Sequence, residues 1–269
     1  MRFAVVGHVE WVEFARVARV PAPGEIVHAG EFWEEAAGGG AVASVQLAKL
    51  AGGADFLTAL GGNELGRRAY EELTRRGVRV HAAWVPAPQR RAFTFVDDEN
   101  ERTITVIGER LVPRRADPLP WEELRETDGV YFTGGDPDAV RAAREARILT
   151  ATPRALSTLR EAGVELDALV GSATDPGEAY RLGELDPPPR LRVATTGVAG
   201  GFSEPGGPFP AEPPPGPVVD AYGAGDSFAA GLTYALARGW GREEALAFAA
   251  RCGAAALTGR GAYAGQLSL

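Results

Sequence analysis

The sequence predicts an α/β fold built on a central, mostly parallel sheet flanked by helices. Three observations carry this. From Gly129 onward, short apolar runs alternate with helical patterns, as βαβ units require. The opening run Phe3-Ala4-Val5-Val6 is continuously apolar, as in a strand covered on both faces. Residues 79–107 change character into short β-rich runs, which adds a small β appendage. A chain of 269 residues accommodates one large α/β domain with such an appendage.

The elements follow in order. Residues 3–7 form a buried first strand ending at Gly7, and the next segment, through Pro21-Ala22-Pro23-Gly24-Glu25, is irregular. Glu25–Phe32 reads as an extended, exposed strand. Gly38-Gly39-Gly40 opens a helix from Ala41 to about Leu50, and Ala54–Leu60 is a strand. The following helix sets Leu65, Ala69 and Leu73 on one face and stops at Gly77. Ala92–Val96 and Thr103–Ile107 flank the polar turn Asp97–Glu101 as a hairpin. Then come strand Val130–Thr133, a helix through Arg147, strand Ile148–Ala151 and a helix carrying Leu156 and Leu159. Strand Ala168–Val170, a short helix near Glu178–Leu182 and strand Leu191–Thr196 complete the alternation. Residues 203–217, rich in Pro and Gly, are expected as a surface loop.

Composition excludes several classes. A net charge of −8 with no basic stripe argues against nucleic acid as a partner. The chain has no long apolar segment, so no membrane is expected and the reading is a soluble, cytoplasmic protein. One cysteine, Cys252, forms no internal disulfide and fits a packed thiol in an Ala/Gly-rich helix. Lys49 is the only lysine and lies within a helical pattern, which removes Walker A and eukaryotic protein-kinase chemistry. Gly38-x-Gly40-x-x-Ala43 imitates a dinucleotide fingerprint but lacks its preceding strand and its acidic partner. His8, His28 and His81 have no zinc-ligand spacing, and Ser44 and Ser227 lack a His-acid pattern.

The chemistry concentrates in Asp220-Ala221-Tyr222-Gly223-Ala224-Gly225-Asp226-Ser227-Phe228. The run opens a helix in which Phe228, Leu232 and Leu236 recur at helical spacing. Gly223, Ala224 and Gly225 therefore lie where backbone N–H groups are unpaired and the helix dipole is positive, with small side chains that let an anion approach. A carboxylate at the mouth of a phosphate cradle is unfavourable unless it works there, and Asp226 is a candidate acceptor of a hydroxyl proton.

This run, continued by Ala230-Gly231, resembles the C-terminal signature of the ribokinase-like (PfkB) sugar kinases. The resemblance extends over nearly the whole chain. Gly61-Gly62-Asn63-Glu64-Leu65-Gly66 is similar to the family's Gly-Asp-Asp-x-x-Gly, Glu101-Arg102-Thr103 to its lid turn, and Gly38-Gly39-Gly40 to its glycine-led helix. Thr195-Thr196-Gly197-Val198-Ala199-Gly200 is similar to the Thr-x-Gly-x-x-Gly bordering the nucleotide, and Gly261-Ala262 to the Gly-Ala on its adenine side. The resemblance implies one ribokinase-like domain over 1–269, its small β lid built from about 10–36 and 88–108, and subunits often paired through the lids. It implies ATP with Mg²⁺ and a small hydroxylated acceptor, a sugar, sugar derivative or nucleoside. Asp226 would be the base, with Gly223, Ala224 and Gly225 the anion hole. Thr195, Gly197, Gly200, Ser172, Ala250 and Gly261 would meet the nucleotide, and Glu10, Gly38, Gly39 and Ala43 the acceptor. Asp175, from Ser172-Ala173-Thr174-Asp175, would reach Mg²⁺ through water, and Asp220 would border a monovalent-cation site such as one for K⁺. Tyr222 stands where that site has Thr.

The acceptor side departs from the family. Its sugar-binding Asp falls on Val12 and its Asn on Ala43, and neither replacement can hydrogen-bond through its side chain. Glu10 is a candidate for the lost contact, with a solvated loop acid as the alternative. A kinase for an atypical acceptor is thus expected, against a non-catalytic ligand-binding or regulatory protein that retains the fold.

Overall fold

The computed structural model describes residues 1–269. Its centre is a nine-stranded sheet in the order β13-β12-β11-β10-β9-β8-β1-β4-β5. The strands are β1 (Phe3–Gly7), β4 (Ala54–Gly61), β5 (Val78–Val85), β8 (Gly129–Phe132), β9 (Ile148–Ala151), β10 (Ala168–Ser172), β11 (Arg192–Thr195), β12 (Gly201–Glu204) and β13 (Gly207–Phe209). All neighbours pair in parallel up to β11, and β12 and β13 extend that edge antiparallel. β1 and β4 are buried at every residue, as strands covered on both faces must be. A second sheet of four strands, ordered β3-β2-β6-β7, contains β2 (Glu10–Arg16), β3 (Glu31–Ala37), β6 (Arg91–Val96) and β7 (Arg102–Ile107).

Helices α1 (Gly39–Ala51), α5 (Ala224–Ala237) and α6 (Arg242–Ala256) share one apolar core, which includes Val42, Phe228 and Phe248. Helices α3 (Pro137–Ala143) and α4 (Leu156–Ala162) help close the other, around Phe132, Leu149 and Leu159. Helix α2 (Glu64–Arg75) is capped by Asn63, whose side chain accepts from the Gly66 N–H. α5 and α6 approach closely: a side chain at Gly231 would come within 2.7 Å of Cys252 Sγ. Cys252 is the packed thiol its surroundings predicted, and burial pushes it up to about 12. The lone lysine is also engaged, Lys49 Nζ donating to the Tyr263 carbonyl at 2.5 Å. No helix is long and apolar enough to cross a membrane.

Four expectations need correction. Residues 10–16, irregular by local pattern though within the span the resemblance gives to the lid, form strand β2 because a nearly continuous buried face packs into the core. The exposed strand expected at Glu25–Phe32 lies later, at Glu31–Ala37, where pairing of Arg16 with Glu31 sets its start. The helix near Glu178–Leu182 is one 3₁₀ turn, Pro176–Glu178, opened by Asp175 accepting from the Gly177 N–H. Part of the loop expected at 203–217 is the β12–β13 hairpin, whose turn uses Gly206 and Gly207 at φ 137° and 94°.

Candidate active site

The carboxyl ends of the parallel strands lie along one edge of the sheet, the usual ligand position in an open α/β sheet. His8 follows β1, Thr133 follows β8, and Ser172 and Thr195 end β10 and β11 as direct register partners. Close backbone packing brings α1 to the same place. A side chain at Gly40 would stand 2.7 Å from the His8 carbonyl and 3.0 Å from the Phe56 ring, so only glycine permits this approach.

The start of α5 reaches the same place, since a side chain at Gly39 would meet both Asp226 and His8. Gly223 caps it at φ 78° in the left-handed region. Ser227 is the first residue to close the helix, its N–H donating to the Gly223 carbonyl at 2.9 Å. The N–H groups of Gly225 and Asp226 thus find no backbone acceptor, while that of Ala224 makes a long 3.5 Å contact with the Ala221 carbonyl. In front of Gly225 there is open space, with nothing within 4 Å of where a side chain would begin. The pair of unused donors and the gap suit an oxyanion.

Asp226 is half-buried in the first turn, and a side chain at Gly39 would lie 2.8 Å from its Oδ1. Burial, with the negative charge of Glu178, pushes its carboxyl up to about 7, against the pull of Arg102 and Arg154. Gly38 stands beside Glu10: a side chain there would be 3.2 Å from the Glu10 N–H nitrogen and 3.4 Å from His8 Cδ2. Glu10 is buried rather than a solvated loop acid, and Arg90 Nε lies 2.8 Å from its Oε1. Burial raises its carboxyl while Arg90, Arg110 and Arg154 oppose the rise. Burial, with the charges of Arg110, Arg90 and Arg154, holds His8 well below the usual imidazole range.

Asp226, Gly39, Gly38 and Glu10 are thus brought together, as are Ser172 and Thr195. Other candidates are engaged elsewhere. Ala43 is wholly buried in the core and presents nothing to an acceptor, and Val12 is equally buried. Gly200 packs onto the β12–β13 hairpin, where a side chain would strike the Phe209 carbonyl. Gly197 opens the 3₁₀ turn that leads there, and Ala250 is buried on α6. Asp220 is fully buried; its Oδ1 accepts from the Tyr222 N–H and its Oδ2 from the Gly261 N–H, each at 2.9 Å. Gly261 also lies against Glu35, which accepts from the Ala262 N–H. Asp220 therefore clasps the approach to α5 onto the 261 loop. Asp220→Ala leaves two buried N–H groups without partners and should cost about 2–5 kcal/mol in urea unfolding. A loss below about 0.5 kcal/mol would contradict the clasp.

Asp175 accepts from the Gly177 N–H and pairs with Arg154, which also holds Glu178 at 2.8 Å. The sequence reading missed Glu178, although it is the carboxylate whose charge bears most on Asp226. Its signal was a second acid in the turn after β10. His8, Arg90, Arg110 and Arg154 were missed as well, because chain distance hid their convergence.

No cluster of three His, Cys, Asp or Glu residues could hold a metal ion. Arg154 pairs with both Asp175 and Glu178, the two acids in the turn after β10.

Comparison with known proteins places the architecture. A profile described as pfkB family carbohydrate kinase matches residues 2–165 and 164–268. A fructokinase of Salmonella typhimurium is 28% identical over 83% of this chain and 87% of its own length. An ATP-dependent ribose-1-phosphate kinase of Halopiger xanaduensis is 31% identical over 69% of this chain and 57% of its own. Among solved structures, a ribokinase from Thermotoga maritima superposes with a TM-score of 0.78 at 21% identity, covering 100% of this chain and 96% of the other.

Proposed function

The chain belongs to the pfkB family of carbohydrate kinases, and on that premise we propose that Asp226 is the base that takes the proton from the acceptor hydroxyl during phosphoryl transfer from ATP. The acceptor is a hydroxyl of a sugar, sugar derivative or nucleoside. The observation that supports this most is the join of two half-sites: the Asp226 carboxylate lies against Gly39 of the glycine-led α1, and the residue before it, Gly225, has open space in front of it.

The reaction follows from those positions. The γ-phosphoryl group is received at the Gly225 and Asp226 N–H groups, whose dipoles are already oriented for charge that spreads over its oxygens. The acceptor lies against Gly38, Gly39 and Glu10, with its reacting hydroxyl toward Asp226. As oxygen attacks phosphorus, the proton passes to an Asp226 carboxylate oxygen and the Pγ–O bond to ADP breaks. Mg²⁺, when bound with the nucleotide, would supply charge neutralisation, and Asp175 and Glu178 are the acids that would reach it through water. No step is assigned to K⁺, since both Asp220 oxygens already hold backbone N–H groups. We take all 269 residues as one domain and the four-stranded sheet as its lid. β7 is exposed along its length at the sheet edge, and a homodimer through these strands is part of the proposal, which the mass in solution decides.

The test is ADP release with Mg-ATP over hexoses, pentoses, sugar acids, sugar phosphates and nucleosides, followed by a pH profile on the best acceptor. The base must be unprotonated, and its carboxyl is pushed up to about 7. kcat/KM should therefore fall about tenfold per pH unit below that point and level off above it. A profile flat down to about pH 5 would remove Asp226 from the role.

A further inference from the structure

The acceptor side of the pocket is basic, and one of its cations is spare. β2 and β6 run parallel with Trp11 beside Arg91, which sets Glu10 next to Arg90 and accounts for their ion pair. On the other flank Arg91 pairs with Ile107 of β7, and a side chain at Gly108 would come 3.9 Å from Arg90 Cα. Two residues later is Arg110. The chain then passes beside His8: a side chain at Gly134 would be 3.0 Å from Val112 Cγ1 and 4.0 Å from His8 Nδ1. Residues 108–112 thus bring Arg110 to the space bounded by Arg90, His8 and Glu10. Among the cations here, Arg110 is the one whose charge bears most on His8.

Charge matching leaves Arg110 as the one half-buried arginine here without a carboxylate; Arg102, which also bears on Asp226, is exposed. Arg90 pairs with Glu10, and Arg154 with Asp175 and Glu178. Asp226 is the remaining carboxylate, and the proposed mechanism uses it on the far side of Gly39. Arg110 is half-buried and makes no ion pair; Glu10, already held by Arg90, attracts it, while the positive charges of Arg90 and Arg154 repel it. His8 Nδ1 is buried in the same space without a hydrogen-bond partner, on a side chain only 6% exposed. A partly desolvated guanidinium beside an unpartnered polar nitrogen is costly in the empty site and favourable once a planar or tetrahedral oxyanion binds.

We propose that Arg110, with Arg90 beside it, binds an anionic group carried by the acceptor, so that the hydroxyl phosphorylated belongs to a sugar acid or a sugar phosphate monoester. The inference rests on the kinase reading above. It also accounts for the loss of polar side chains at Val12 and Ala43: an acceptor anchored by its charge relies less on neutral contacts to its hydroxyls.

The experiment uses matched sets of a pentose and a hexose, each as free sugar, aldonate and phosphate monoester. Wild type should show kcat/KM at least about tenfold higher for one anionic member than for the free sugar, and the member that wins identifies carboxylate or phosphate. In Arg110→Gln that ratio should fall by about 10–100-fold, mainly through KM, with Arg110→Lys recovering part of it. Melting temperature checks that each variant is folded. A wild type that prefers the free sugar, or a ratio unchanged in Arg110→Gln, overturns the subsite and leaves the kinase reading standing. Equal weakening of ATP binding without acceptor overturns it too, because Arg110 would then serve the nucleotide. If no compound yields ADP, calorimetry on the same sets separates the two ideas. Arg110-dependent binding would keep the subsite and sink the kinase reading, and binding indifferent to Arg110 would sink the subsite.

Discussion

Asp226→Asn should lower kcat by about 10²–10⁴-fold while ATP affinity holds or improves. The amide keeps the shape of the side chain at the start of α5 but cannot take up a proton at the atom that faces the acceptor. ATP binding does not suffer, because the change removes a negative charge beside a phosphate site. The same variant should be the more stable protein. The folded carboxyl holds its proton up to about pH 7, the unfolded one only to about pH 4. Between those values the folded chain binds the proton more tightly, so stability falls as pH climbs through that window. The penalty is fully present above about pH 7, at most about 4 kcal/mol and less to the extent that water reaches the half-buried group. Asparagine never carries it. Melting scans should show the variant above wild type at about pH 8, with the gap closing near pH 4. A variant that retains near-wild-type turnover would end the base assignment, and one that melts lower at high pH would end the account of its burial.

Gly225→Val should abolish nucleotide binding and turnover, by about 10²-fold or more, in a protein that still folds. Its first side-chain atom meets nothing within 4 Å, so the cost falls on the ligand and not on the core. The neighbouring glycine supplies the contrast. At Gly223 the backbone is at φ 78° and a side chain would come 2.8 Å from Val42 Cγ1, so the same change there damages folding itself. Calorimetry with ATP beside a thermal melt reads both. Intact ATP affinity in a folded Gly225→Val protein would show that the phosphates bind elsewhere.

What the sequence disclosed and what it hid divide along chain distance. The glycine run before α5, the buried strand β1 and the β6–β7 hairpin are local patterns, because dihedral preference and apolar spacing act over a few residues. Strand β2 escaped because burial of nearly its whole length erased the alternation by which strands are read, and β3 was displaced because its start is set by β2. The β12–β13 hairpin hid behind Pro and Gly, residues that in isolation mark loops. Of the site, Asp226 was legible because its motif is contiguous. Arg90, Arg110 and Arg154 were not, since 26 arginines besides any one of them look alike until the fold gathers three near His8.

The engaged state of Lys49 bears on chemical durability. Open-chain aldoses and ketoses condense with free amines to form Schiff bases that rearrange into permanent adducts, and guanidinium groups are far poorer partners because they stay protonated. This chain has one lysine, and its amine is half-buried and donated to the Tyr263 carbonyl. Toward open-chain sugars the chain thus presents side-chain cations that are arginine at every position but one, and slow glycation of its side chains is limited to that single engaged amine.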